Sequence, residues 1–276
     1  MELTEDQLII AENEVKRYLP RSLKVYGFLI LRNRVKSEPV TVLVDKWPKF
    51  RVIVCKPSYE KESDVFKDIL IFANDATILE ETIRSPSVFE WTRYLCIGTN
   101  RSHMEIIKAV AFEKNVPSNK LSECHVMILE DESRLPSIEC SGFSSGFSLS
   151  SLDESHLDLV NQTWKFGKHD GTLGMIRNMI AHFPSRCMLD PEGKPVSWIL
   201  TYACCAMGML YTLPEHRGKG YAKAVISSMA RTLKAQGYPV YCFVEEENAV
   251  SYQLFTSMGF TEDPSDKQVW FGFNKF

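Results

Sequence analysis

The stretch from Met207 to Gly237 constrains this chain more than any other. A β-forming run, MGMLYT, passes through Leu213-Pro214-Glu215-His216 into Arg217-Gly218-Lys219-Gly220-Tyr221-Ala222, and the amphipathic run AKAVISSMARTLKAQG follows. Strand, glycine loop and helix in direct succession leave unpaired backbone N–H groups at a helix N-terminus. Those groups, with a partial charge of about +0.5, favour an anion. Gly218 and Gly220 admit a phosphate where a Cβ would intrude. Arg217 and Lys219 add positive charge, and Ala222 keeps the first helical turn small. The spacing fits neither a Walker A loop nor a full GxGxxG turn. On these residues alone the loop is a phosphate cradle or a glycine-containing surface turn.

Composition narrows the partners. The chain has 276 residues, a net charge of −3 and 45% hydrophobic residues, which suits a soluble globular protein with a sizeable core. No basic excess marks a nucleic-acid surface, so no nucleic-acid partner is expected. No apolar run nears the ~20 residues of a membrane-spanning helix. The acidic N-terminus MELTEDQLII lacks the character of a secretory signal and of a typical transit peptide. Eight cysteines show neither CxxC nor zinc-ligand rhythm, so no metal site is expected and the thiols read as reduced core residues.

Along the chain, Thr4 and Gln7 stand at capping-box spacing ahead of a helix stopped by Pro20. KVYGFLILR, VTVLVD and RVIVC read as strands. Helices are expected over 75–82, 88–93 and 102–114, and strands at YLCIG and HVMILE. The Ser/Gly-rich stretch at 138–149 suggests a boundary between domains 1–140 and 141–276. In the second domain a capping box at Ser151–Glu154 leads a helix to Trp164, and another helix runs from Leu173 to His182. PVSWILTY and CAMGMLYTL follow as antiparallel neighbours. After the glycine loop come a helix ended by Gly237, the strand YPVYCFVE, a short helix over 248–258 and the strand KQVWFGF.

The order strand, RGKGYA, helix, strand, Asn248 and LFTSMGF resembles motifs A and B of the GNAT superfamily, whose loop signature is (Q/R)xxGx(G/A). Longer phrases are similar to the glycine N-acyltransferase family: LKVYGFLI, VLVDKWPKF and FEWTRYLCIG in the first half, and WKFG, FPSRCMLDPEGKPVSW and YTLPEHRGKGY in the second. The TLPEHR-x-KGY phrasing looks most like that family's like-protein-3 branch. The resemblance implies an α/β (α+β) fold of tandem GNAT-like halves, with mixed, mostly antiparallel sheets flanked by helices. The first half would be a degenerate copy without the phosphate loop.

The implied activity is transfer of an acyl group from acyl-CoA, as co-substrate, to the amine of glycine or another small amino acid. Leu210, Thr212, Leu213, Arg217 to Ala222 and Asn248 would hold the CoA. The alternatives are an acyl-CoA-binding protein with weak or no turnover, and an N-acetyltransferase on protein amines. The mitochondrion is implied, with cytoplasm as the alternative, and a monomer is expected.

Two departures stand out. The glutamate that takes the amine's proton in the family corresponds here to Ala206, which accepts none. The family's tyrosine acid is replaced by Phe255, with Tyr252 one turn earlier. Glu215, His216, Glu245 and Tyr252 are therefore the candidate acid–base residues, each with a bland reading as turn, strand-end or core residue. A base is also dispensable where positioning carries the rate. Arg177 is a candidate fork for a substrate carboxylate, or the wet face of its helix.

Overall fold

The computed structural model describes residues 1–57, 67–136, 145–168, 170–264 and 267–274. The chain divides into two compact units, Met1–His125 with Asp263–Phe276, and Val126–Glu262. Much of the Ser/Gly-rich stretch read as a boundary lies outside the described residues.

The first unit contains α1 (Glu5–Lys16), α2 (Leu23–Arg34), β1 (Val40–Val44), β2 (Val52–Pro57), β3 (Ile69–Ala73), α3 (Ala76–Arg84), β4 (Leu95–Asn100) and α4 (Arg101–Glu113). It also takes most of β5 (Ser118–Ile128) and the last strand of the chain, β12 (Gln268–Phe273). Its strands are ordered β1-β2-β3-β4-β12-β5. The registered pairs are antiparallel except β3 with β4, where Ile69 faces Ile97 and Leu70 faces Gly98. Val54, Ile69, Ile71 and Ile97 from the sheet pack with Leu79, Met104 and Ile107 from α3 and α4. Each such side chain contributes roughly 1.5–3 kcal/mol on burial.

Local chemistry sets the helix ends. The Thr4 N–H donates to Gln7 Oε1 at 2.9 Å, as the capping box predicts. Asp75 accepts from the Ile78 N–H at 3.1 Å and is held by Arg51 at 2.8 Å, so a carboxylate already closes the N-terminus of α3. Two expectations fail in this unit. KVYGFLILR is the body of α2 rather than a strand, and Leu23 to Leu31 are all buried. A run buried on every side shows no period, so its β-branched and aromatic content misleads. Residues 88–93 form turns rather than a helix. Phe89 and Trp91 plunge into the core there, and Trp91 Nε1 donates to Ile83 O at 3.2 Å.

The second unit contains β6 (Ser148–Ser150), α5 (Leu157–Thr163), α6 (Leu173–His182), β7 (Arg186–Leu189), β8 (Pro195–Thr201), β9 (Met207–Thr212), α7 (Tyr221–Ala235), β10 (Tyr241–Glu245), α8 (Ala249–Ser257) and β11 (Thr261–Glu262). Its strands run β6-β7-β8-β9-β10, with the end of β5 beside β10 and β11 on β5. Registered pairs are again antiparallel except one, β9 with β10. The mixed, mostly antiparallel sheets expected from the sequence are thus present in both units. The expected cap at Ser151 is instead Asp153, which accepts from the Ser155 N–H at 2.9 Å, because a 3-10 turn at Glu154–His156 precedes α5. Gly237, at φ 72°, stops α7 as predicted.

Candidate active site

The site grows from an irregularity in β9. Thr212 faces Ser197 and Tyr211 faces Trp198, but Gly208 faces Leu200 and Met207 faces Thr201, so β9 carries one residue more than β8 over this span. Met209 absorbs it with a φ of 50°. A bulge of this kind bends the strand and frees backbone groups from the ladder. On the other edge, Cys242 opposite Met207 is the one registered pair between β9 and β10 among the described residues. The carboxyl ends of these two parallel strands therefore lie beyond their pairing, the kind of crevice in which α/β sheets take ligands.

The chain leaves β9 with the Leu213 N–H donating to Val196 O at 2.9 Å, then makes a 3-10 turn at Pro214–His216. Arg217 Nε donates to Thr212 O at 3.1 Å, and its guanidinium sits 5.6 Å from the Tyr211 ring centroid. Gly218 and Gly220 have φ of 75° and 84°, and a Cβ on either would meet nothing of the chain within 4 Å. The chain itself thus needs these glycines for the left-handed backbone and not for crowding. Gly220 is the N-cap of α7 and offers no side chain to the first-turn amides. Tyr221 is buried beneath this end and stacks on Phe147 at 5.0 Å.

The candidate acid–base residues take separate environments. Glu215 is exposed on the turn. His216 packs by the rings of Phe147 and Tyr221, at 6.0 and 6.2 Å, and its buried Nδ1 has no hydrogen-bond partner among the described residues. Glu245, at the end of β10, takes Lys165 Nζ on both oxygens at 2.8 and 2.9 Å. The Tyr252 hydroxyl donates to Glu262 Oε2 at 2.9 Å, and that bond raises the phenol above its ordinary range. Asn248 accepts from the Ser251 N–H at 3.0 Å as the cap of α8. Arg177 pairs with Glu154 at 2.9 Å. Ala206 is fully buried just before β9, and its carbonyl accepts from the Tyr202 N–H at 2.9 Å. Cys205 turns with a φ of 67°, and the buried Tyr241 hydroxyl donates to Cys204 O.

Three features were not foreseen from the sequence. They are the Met209 bulge, the Phe147 ring beneath the loop, and the tie from Lys165 to Glu245. Phe147 lies in the stretch read only as a boundary, and the other two depend on partners remote in the chain.

The family described as aralkyl acyl-CoA:amino acid N-acyltransferase matches residues 3–184, and its C-terminal region matches residues 186–273. The chain belongs to this family. This aralkyl acyl-CoA:amino acid N-acyltransferase is 31% identical over 284 residues to glycine N-acyltransferase of Bos taurus, with 95% of each chain covered. It is 29% identical over 282 residues to glycine N-phenylacetyltransferase of Bos taurus, again with 95% of each covered. Among solved structures, an X-ray structure of a Drosophila protein superposes with a TM-score of 0.82 at 16% identity, covering 99% of this chain and 97% of that one. A GCN5-related N-acetyltransferase from Kribbella flavida gives 0.57 at 12% identity, covering 91% and 93%. These two likenesses establish the fold. The acyltransferase uses acyl-CoA as co-substrate, in keeping with its family. Among the described residues no helix is long and apolar enough to cross a membrane, and no group of three or more His, Cys, Asp or Glu could hold a metal.

Proposed function

We propose that this acyltransferase conjugates aralkyl or other acyl groups to glycine or another small amino acid. The observation that carries the reading is the parallel pair β9–β10, registered at Met207 and Cys242 alone, leading into an uncapped helix with two left-handed glycines. In this reading the pyrophosphate of CoA rests on the amides of 218–222, with Arg217 and Lys219 beside it. The pantetheine follows Leu210, Thr212 and Leu213 toward Asn248. The thioester carbonyl comes to the Met209 bulge, whose freed amide serves as the oxyanion donor.

The neutral amine attacks the thioester carbon, the C–S bond breaks, and the thiolate leaves and takes a proton. No side chain is assigned as base. Ala206 accepts no proton, Glu245 is bound to Lys165, and His216 turns a buried Nδ1 toward aromatic rings. The amine therefore loses its proton to solvent, and positioning supplies most of the rate. Relatives named for glycine and for phenylacetyl transfer support the choice of acceptor and acyl group. The TLPEHR-x-KGY phrasing supports the like-protein-3 branch, family resemblance supports the mitochondrion, and we take the chain to act as a monomer.

The test incubates the purified chain with glycine and acyl-CoAs from acetyl to long-chain, with phenylacetyl-CoA included, and reads acylglycine by mass spectrometry. An Arg217→Ala/Gly220→Trp variant is the blank. Product above blank is expected, with kcat rising with pH while the amine is still mostly protonated. An absence of product from every amino acid tried, with CoA still bound, would overturn the proposal.

A further inference from the structure

The loop between α5 and α6 is held down at one end and presents a cation at the other. A Cβ at Gly167 would stand 1.9 Å from the Asn161 carbonyl oxygen, so backbone lies directly on backbone there. The Gly167 N–H donates to Trp164 O at 3.0 Å, and the Lys168 N–H to Asn161 O at 3.1 Å. The buried Thr172 hydroxyl bonds Asn161 Oδ1 from the next helix. Four such constraints leave the loop little freedom.

From this base Lys165 reaches the last residue of β10, 80 positions along the chain, with its ammonium on both carboxylate oxygens of Glu245. The same ammonium lies 5.2 Å from the Phe166 ring centroid. Its side chain keeps 57% of its exposure, so a solute can reach the charge. An exposed ion pair of this kind is worth only about 0–1 kcal/mol to the fold. Its position matters more, because β10 ends where its pairing with β9 has already ceased.

Lys165 is one of several engaged cations in this unit. Arg217 and Lys219 lie on the phosphate loop, and Arg177 is paired with Glu154. Arg186 is bonded to Ser228, Thr232, Ser151 and the Ser185 carbonyl. We infer that Lys165 reads the carboxylate of the acceptor amino acid, with Glu245 positioning its ammonium at the open end of the β9–β10 pair. The inference rests on the amino-acid acceptor reading and names the residue that enforces it. An ammonium binds carboxylates through charge-assisted hydrogen bonds. Amines that lack a carboxylate lose that contact and are disfavoured.

The test uses the full chain and compares kcat/KM for glycine and for glycinamide, its neutral carboxamide, in the wild type, Lys165→Met and Lys165→Arg. Lys165→Met is expected to raise the KM for glycine about ten-fold or more and to shrink the preference for glycine over glycinamide by the same factor. The KM for acyl-CoA stays within about two-fold, since that site lies on other residues, and Lys165→Arg restores most of the preference. Because the side chain is largely exposed, loss of folding does not confound the result, and a thermal melt checks this. A wild type that prefers glycine, with Lys165→Met keeping the full preference, overturns the role of Lys165 alone. A wild type with no preference for glycine overturns the acceptor reading and this inference with it.

Discussion

Replacing Gly167 by alanine tests whether the loop after α5 is as tightly seated as the structure describes. A Cβ there would lie 1.9 Å from Asn161 O, and 2.9 Å from both the Asn161 carbonyl carbon and its Oδ1. Real contacts of that kind stay above about 3 Å, so the loop must retreat by roughly 1 Å in a close-packed region. The retreat costs about 1–3 kcal/mol as overpacking. It also breaks the Lys168 N–H bond to Asn161 O, which exposes or orphans a carbonyl at about 1–3 kcal/mol. Together these give roughly 2–6 kcal/mol, and at a few degrees per kcal/mol a fall in Tm of about 5–15 °C.

Gly193→Ala serves as the comparison. Gly193 sits in the β7–β8 hairpin with a φ of 79° and nothing within 4 Å of an added Cβ. Only left-handed strain of about 1–2 kcal/mol operates there, far from the loop. Circular-dichroism melts of the two variants separate crowding from strain. The Gly167 variant should also show a raised KM for glycine, because Lys165 rides on the displaced loop. A Gly167→Ala protein that melts within 2 °C of the parent would refute the packing argument.

Three further outcomes follow from the same geometry. Gly220→Ala, at a φ of 84°, strains the N-terminus of α7 and should weaken acyl-CoA binding several-fold by calorimetry, with little change in the KM for glycine. The Glu5 carboxyl is pulled down to about 2 by hydrogen bonds from Arg32 and then Lys36, so its contribution to stability is present above 4.5 and fades as the pH falls toward 2. Glu5→Gln should thus melt below the parent at pH 7, with the gap closing over that acid range and narrowing in high salt. Seven of the eight cysteines lie within the described residues and are buried, and burial pushes the Cys187 thiol up to about 11 and those of Cys55 and Cys96 higher still. A thiol reagent at pH 7 should find at most one fast site in the native protein and eight after denaturation; two or more fast sites would contradict the burial.

Legibility in the sequence tracked how locally each feature is written. The strand–glycine–helix turn at 207–235 could be read because strand, glycines and helix are contiguous and each supplies its own signal. The same holds for α1, α7 and their caps. The helix α2 could not be read, because Leu23 to Leu31 are buried on every side and burial erases the period that separates helix from strand. Met209 looks like any strand residue, since its bulge exists only in register with β8. Lys165 and Glu245 look like separate solvated charges until the fold brings them together. His216 is chemically suited to be a base, but only its surroundings show that its buried Nδ1 has no hydrogen-bond partner among the described residues. β12 was legible as a strand, yet nothing local says that it belongs with the first unit.

That last placement bears on how the protein is made. β12 lies between β4 and β5, and Trp270 on it donates to the half-buried carboxylate of Asp68 at 2.7 Å, 202 positions away. During synthesis β4 and β5 therefore leave the ribosome before the strand that joins their facing edges, with most of Val126–Glu262 made in between. The usual order, in which the amino-terminal part of a chain finishes folding first, is reversed here. The second unit's strands all precede β12 in the chain, so β4 and β5 lack the strand that joins them until β12 is made.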